Sequence, residues 1–417
     1  MRGLDTTVAV VLLRLHHHCE VGAARTLGRL GVPVYAVHHD LDAAAAHSRY
    51  VREILDWSLD QNTDADSVEA VLRFGRRIGG RPVLLATDDR SGDFLADNAE
   101  ALATAFRFPE QPVGLARTLS NKKGLDGLCR RHAVPTPDAR FPTCRAEVLE
   151  SVEALGLPVV LKGIDAYKLE DRVGMRMAIA ANVEELLTLY AAMEDPDDPN
   201  LMLQEYIPGA PDSVWMMNGY FDSRSAGHVI ATGQKLRQFP VDTGMTSLGI
   251  CTANAEVEAL TRRFMRRLGY RGVLDIGYRY DHRDGRYKLL DVNPRLGSTF
   301  RLFAHEPALD VVRALYLDLT GQPIPASRAR AGRKWMVEDY DLASALVHHR
   351  RGVLTLRGWL ASVRGVQEGA WFALDDPIPI VVTVRRSLQR YRSSRWTRRS
   401  LGRERQRAAG AFRARTR

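Results

Sequence analysis

Apolar positions change their spacing along the chain, and those changes mark out its elements. Thr6 to Leu13 is an apolar, β-branched run that predicts a strand. A helix-like stretch from Ala23 to Leu30 and a second strand from Pro33 to Val37 complete a βαβ opening, which implies a parallel sheet with flanking helices. A further strand, Arg81 to Ala86, runs into Thr87-Asp88-Asp89, and polar residues at the carboxyl end of such a strand face a cleft. Helical spacing returns over Arg145–Leu155, Val183–Met193 and Ala255–Leu268, and around Leu342 to His349. Strand patterns lie between them: Pro158 to Gly163, Met175 to Ala180, Leu201 to Ile207, Ser213 to Tyr220 and His228 to Leu236. Gly272 to Asp281 and the run from Tyr287 flank Arg283-Asp284-Gly285, and an Asp-Gly turn between two strands predicts a hairpin. The polar segment Asp165 to Gly174 is expected to be a mobile loop and is the candidate lid.

A chain of 417 residues holds two or three domains, and its hydrophobic fraction of 45% with 26% charged residues is ordinary for a soluble globular protein. No apolar run is long enough to cross a bilayer, and the start of the chain lacks a secretory signal. Cys19, Cys129, Cys144 and Cys251 are scattered without Cys-x-x-Cys spacing, which argues for a reducing, cytoplasmic setting. The net charge of +9 is unevenly spread: Arg385 to Arg417 carries 13 Arg and one acid, so the residues before it total −3. Lysine is rare, at seven against 52 arginines, which draws attention to Lys122, Lys162 and Lys235.

The candidate chemistry centres on Tyr287 to Gly297. Strand residues two apart share a face, so Asp291 and Asn293 aim side-chain oxygens at one spot, with Arg295 next along. Oxygen donors suit a hard cation such as Mg²⁺, and an Arg fork suits phosphate or carboxylate. The alternative is an edge strand ending in an Asn-Pro turn. Asp275 lies across the expected hairpin and would make a third cation ligand. Lys162 closes an apolar strand, so its charge must reach an anion or snorkel to water. Lys235 and Arg237 either face an anionic acceptor or form a surface ion pair. Adjacent His16-His17-His18 cannot all aim at one ion, which favours a solvated or substrate-facing loop over a metal site.

Taken in order, these pieces resemble the ATP-grasp superfamily, and within it carboxylate–amine ligases of the D-aspartate-ligase kind, over about residues 5 to 325. Asn121-Lys122 with Val134-Pro135-Thr136-Pro137 resembles the family's first nucleotide lysine and the turn after it. Pro158 to Lys162 resembles the second lysine, and Gln204-Glu205-Tyr206-Ile207-Pro208-Gly209 with Asp212 resembles the hinge that holds adenine and ribose. Asp291-Val292-Asn293-Pro294-Arg295 resembles the metal-binding Glu-x-Asn-Pro-Arg, with Asp for Glu.

The resemblance implies an α/β protein with the ATP-grasp fold. A parallel-sheet domain is expected at 1–115 and two α+β subdomains clamping ATP at 116–325, hinged near 204–209. A C-terminal extension is expected to pack on the body at 326–384, and a basic, disordered or partly helical tail at 385–417. It also implies ATP with Mg²⁺, or Mn²⁺ in its place. Lys122, Lys162, Gln204, Glu205, Tyr206, Ile207 and Asp212 would be nucleotide-binding, Asp275, Asp291 and Asn293 metal-binding, and Lys235, Arg237 and Arg295 catalytic. A carboxylate would be phosphorylated to an acylphosphate and displaced by an amine, with ADP and phosphate released; both substrates would be small and amino-acid-like. No specific nucleic-acid partner is implied, and the tail's charge alone could touch an anionic surface weakly. Three departures bear on this. The histidines replace a glycine-rich turn, the expected lid carries bulky residues, and Gly277 stands where some relatives carry a metal acid, so Asp275 is expected to substitute. A nucleotide-binding protein with a decayed site and a phosphotransferase on the same scaffold are the alternative readings.

Overall fold

A computed structural model describes residues 3–209 and 211–389. The expected tail therefore lies, from residue 390 onward, outside the described residues. Among the described residues no helix is long and apolar enough to cross a membrane.

The βαβ opening forms a four-stranded parallel sheet ordered Val51–Leu55, Val34–Val37, Val10–Leu13, Val83–Ala86. Its strands Val10–Leu13 and Val83–Ala86 are fully apolar and buried along their whole length, as parallel strands flanked by helices are. The first helix spans His18–Gly28, five residues earlier than the pattern suggested, because His18 and Cys19 are buried and continue its apolar surface.

A second sheet is antiparallel and ordered Ala139–Arg140, Leu201–Glu205, Val159–Gly163, Met177–Ala180. Helices Arg145–Leu155 and Val183–Met193 share its core through Val148, Leu186 and Tyr190. The expected mobile loop is instead a helix, Ala166–Val173. Leu169 is buried in this sheet's core, and Gly174 at φ 74° ends the helix in the left-handed conformation that glycine favours. Burial of this single leucine and a glycine stop outweigh the segment's polarity.

The third sheet has seven strands, ordered Arg286–Asn293, Gly272–Asp281, Val214–Phe221, Gly227–Phe239, Met245–Cys251, Lys334–Met336, Val366–Gly369. The segment after residue 325 thus supplies two strands to this sheet and does more than lie against it. Helix Ala255–Leu268 covers one face with Val257, Phe264 and Met265. The other face shares a core with the parallel sheet, joined by Phe300, Leu302, Leu315 and Trp335. The carboxyl ends of the parallel strands, the second sheet and the hairpin of the third sheet consequently meet around one cleft.

Candidate active site

In the hairpin, Asp275 pairs with Asn293 and Gly277 with Asp291, so all four face one side of the sheet. The Asn293 side-chain amide donates to Asp275 Oδ2 at 3.3 Å and accepts from Arg295 Nη2 at 3.1 Å. Gly277 explains the missing acid: a β-carbon there would collide with Asp291 Oδ1, so the glycine is the space that Asp291's carboxylate occupies. Gly297 gives Asp275 room in the same way. The Asp275 carboxyl is pushed up to about 6 by burial, with Asp291 adding to the rise and Arg295 opposing it. Two carboxylates and an amide oxygen held together at this depth suit a hard divalent cation, which would relieve that electrostatic penalty. Among the described residues no group of three or more His, Cys, Asp or Glu side chains is placed to hold a metal ion, and this site brings two carboxylates and an amide.

The sheet also carries a β-bulge: Tyr278 pairs with Leu289 immediately after Gly277 pairs with Asp291, leaving Leu290 without an opposite residue. The extra residue brings Lys288 and Asp291, three apart, to the same face. Arg279, two residues beyond Gly277, joins that face. Even spacing from Asp275 was the available signal for Arg279, and the sequence reading passed over it.

Lysines arrive from the other side of the cleft. Lys162 ends the strand Val159–Gly163, and its Nζ donates to Gln204 Oε1 at 2.7 Å. Lys122 opens the helix Lys122–Arg131, capped by Asn121 Oδ1 accepting from Gly124 N at 3.0 Å. That helix start is tied to the end of the Lys162 strand: Lys122 N donates to Ile164 O at 3.1 Å, and Asn121 Nδ2 to Asp165 Oδ1 at 2.9 Å. One local structure thus fixes both lysines. Lys162 is pushed down to about 8, first by burial, then by Lys122, Lys235 and Arg279, while Asp291 opposes the drop. Lys235 is likewise lowered by burial, against the pull of Asp291 and Asp275. Burial lowers Lys162, Lys235 and Arg279, neighbouring cations add to the fall at Lys162 and Lys235, and the pocket they share with two acids is short of negative charge.

Other expected residues stand differently. Arg237 is buried in a two-point pair with Asp341, Nε and Nη2 each at 2.8 Å, and its Nη1 donates to Ser362 at 2.6 Å. All three nitrogens of its guanidinium are taken, so it holds the C-terminal segment to the large sheet and is not an open anion ligand. Glu205 is also engaged, accepting from Arg283 at 2.5 Å, Asp138 N at 3.2 Å and Lys288 at 3.4 Å. The strand Leu201–Glu205 is paired on both edges, so its backbone is spent; Tyr206 and Ile207 lie past its end, and their backbone is free of that pairing. Asp212 lies exposed in a short turn, Pro211–Ser213, just after the connection between the two sheets.

Arg295 reaches across to the parallel-sheet domain, with Nε and Nη2 donating to Asp89 Oδ1 at 2.9 and 2.7 Å. Burial works to raise Asp89, but Arg295, Arg176 and Lys122 outweigh it and hold the carboxylate below its usual range. His17 caps the first helix nearby and is lowered to about 4 by burial, with Asp88 opposing. The three histidines diverge. His16 contacts Arg14 and the His38 ring, and His18 packs among Trp335, Tyr340 and Trp371 with its Nε2 3.0 Å from Ser298 O. A separate, mainly apolar cavity of about 580 Å³ lies behind Arg295, but the titratable cluster lies in the cleft, where we place the chemistry.

No protein-family model matches the sequence. D-aspartate ligase from Enterococcus faecium (strain Aus0004) is 24% identical over 226 residues, 52% of this chain and 53% of that protein, so the match spans about half the relative's length. Among solved structures, N5-carboxyaminoimidazole synthetase from Staphylococcus aureus with ADP superposes with a TM-score of 0.62 at 11% identity, covering 80% of this chain and 82% of that one. The biotin carboxylase domain of the Hydrogenobacter thermophilus 2-oxoglutarate carboxylase, with MgADP and bicarbonate, gives 0.61 at 16% identity, over 78% and 73%. L-amino acid ligase from Bacillus licheniformis gives 0.59 at 14%, over 76% and 75%. The architecture shared across these comparisons shows that this chain has the ATP-grasp fold.

Proposed function

We propose that the protein is an ATP-dependent carboxylate–amine ligase. The observation that carries this reading is the cluster of Lys122, Lys162, Lys235 and Arg279 facing Asp275, Asp291 and Asn293. Depressed lysines beside a pair of acids fit a metal–triphosphate, whose charge restores the balance on both sides. Lys122 and Lys162 would steady the phosphates, the backbone at Tyr206 and Ile207 would meet adenine's edge, and Asp212 would lie near the ribose. Gln204 acts through its bond to Lys162, and Glu205 by fixing Arg283 and Lys288. Asp275, Asp291 and Asn293 would hold Mg²⁺, or Mn²⁺, which when bound neutralises charge on the transferring phosphoryl group.

In the first step a substrate carboxylate oxygen attacks the γ-phosphorus, the bond to the β–γ bridging oxygen breaks, and ADP leaves. An amine then attacks the acyl carbon, the carbon–oxygen bond to phosphate breaks, and the amide forms with loss of a proton. Lys235 and Arg295, with Asp89 orienting Arg295, would line the acceptor side, where the transferred phosphate and the substrate carboxylate both carry negative charge. Arg237 is assigned to structure.

The test is ADP release by purified protein with ATP, Mg²⁺ and pooled amino acids. Release that needs both a carboxylate and an amine, with an amide in the product, supports ligation. A phosphorylated end product without amide would move the reading to phosphoryl transfer, and ATP binding with silence in every pool would favour a decayed site.

A further inference from the structure

We propose that the helix over 378–389 docks the protein on an anionic lipid bilayer surface. The helix is apolar on two opposite sides. Its inner side, with Ile380 and Val382, packs on the main core. Its outer side presents Ile378, Val381, Val384 and Leu388 to water, at 53, 63, 48 and 59% exposure. Their spacing of three, three and four residues places them in one stripe. A helix with apolar residues on two opposite sides buries one on its own core and offers the other to a partner.

The stripe cannot turn inward. Arg386 Nη2 donates to Asp40 Oδ2 at 2.8 Å. Just before the helix, Arg25 Nε holds Asp376 at 2.9 Å in a pair that is almost completely buried, and Arg29 holds Asp375. The outward face is therefore fixed by the fold. Eleven of the seventeen large hydrophobic side chains exposed among the described residues lie after residue 338, so the exposure is concentrated in this part of the chain.

Charge selects the occupant. Residues 385–417 hold 13 Arg and a single acid, with Tyr391, Trp396, Leu401 and Phe412 among them. An anionic bilayer accepts apolar side chains at the acyl boundary and arginines at the headgroups, so one partner satisfies both features. A second copy of the chain on this face would bring two strongly positive segments together. Nucleic acid would take the arginines but leave the stripe in water. Among the described residues no helix is long and apolar enough to span, and this one would lie along the surface.

Sedimentation of the full chain with phosphatidylcholine vesicles, with and without phosphatidylglycerol, tests this. We expect at least ~10-fold tighter binding to the anionic vesicles, weakened by salt. Val381→Asp with Leu388→Asp should reduce that binding ~10-fold or more with the tail charge intact, while circular dichroism and ADP release stay unchanged. The milder pair Val384→Ser with Leu388→Ser gives the same direction should the first variant fold poorly. Equal binding to both vesicle types, or none, would overturn the proposal. So would a dimer in light scattering that the aspartate pair converts to monomer, or vesicle binding unmoved by both pairs together with tight binding to duplex DNA.

Discussion

Replacing Lys162 by Met should make the protein more stable and unable to hold ATP. The lysine sits at about 8 instead of 10.5 because burial and three neighbouring cations oppose its charge. Holding that charge in the free cleft therefore costs about 3 kcal/mol. Methionine removes the charge and fills the same volume, but leaves Gln204 Oε1 without its partner, a loss on the order of 1–2 kcal/mol. The net expectation is a gain of roughly 1–2 kcal/mol at pH 7 in the absence of nucleotide. A pH series provides the control. Because the folded form loses this proton near 8 and the unfolded chain keeps it to about 10.5, wild-type stability should rise between those values. The rise attributable to Lys162 should vanish in the variant. Denaturant midpoints across pH 7 to pH 10 and calorimetric titration with ATP would measure both halves. A variant that is less stable than wild type at pH 7, or that binds ATP as well as wild type, would refute the reasoning.

Three further outcomes follow from the same geometry. Gly277→Ala should weaken Mg²⁺-dependent ADP release by on the order of 10–100-fold with little change in fold, because the methyl displaces Asp291's carboxylate; unchanged kinetics would count against the metal site. Mg²⁺ affinity should fall as pH drops through about 6, where Asp275 takes up a proton, and binding near that pH should release one, which titration in buffers of differing ionisation enthalpy detects. Asp341→Asn should lower stability by about 3–5 kcal/mol, read as a fall in the unfolding midpoint, because it strands Arg237 in a buried site; nucleotide affinity should hardly move.

Much of the architecture was legible because it rests on local signals. Continuous apolar strands and an Asp-Gly turn gave the parallel sheet and the hairpin, and strand periodicity put Asp275 opposite Asn293. The expectation of a loop over Asp165 to Gly174 failed because a single leucine at the right place on a polar helix decides its folding, and composition hides it. Arg237 looked like an anion ligand because its partner, Asp341, lies 104 residues away and belongs to a segment whose strands could not be placed from pattern alone. Arg279 and Lys288 were missed, and Asp89 was read as facing a cleft without its partner Arg295, for related reasons. A bulge breaks the even spacing that would have flagged Lys288, and the contact between Asp89 and Arg295 joins two domains. The role of Gly277 was also invisible, since a glycine's function as empty space shows only when the neighbouring carboxylate is in view.

The central claim is that Lys122 at its helix start, Lys162 at the end of a strand of the second sheet and the acids of the hairpin jointly grip a metal–triphosphate. Calorimetric titration of a non-hydrolysable ATP analogue, with and without Mg²⁺, into wild type and Asp291→Asn addresses it directly. Tight binding that needs Mg²⁺ in the wild type, and loses that dependence in the variant, is the predicted result. Binding of equal strength in both proteins, or binding indifferent to Mg²⁺, would contradict the account.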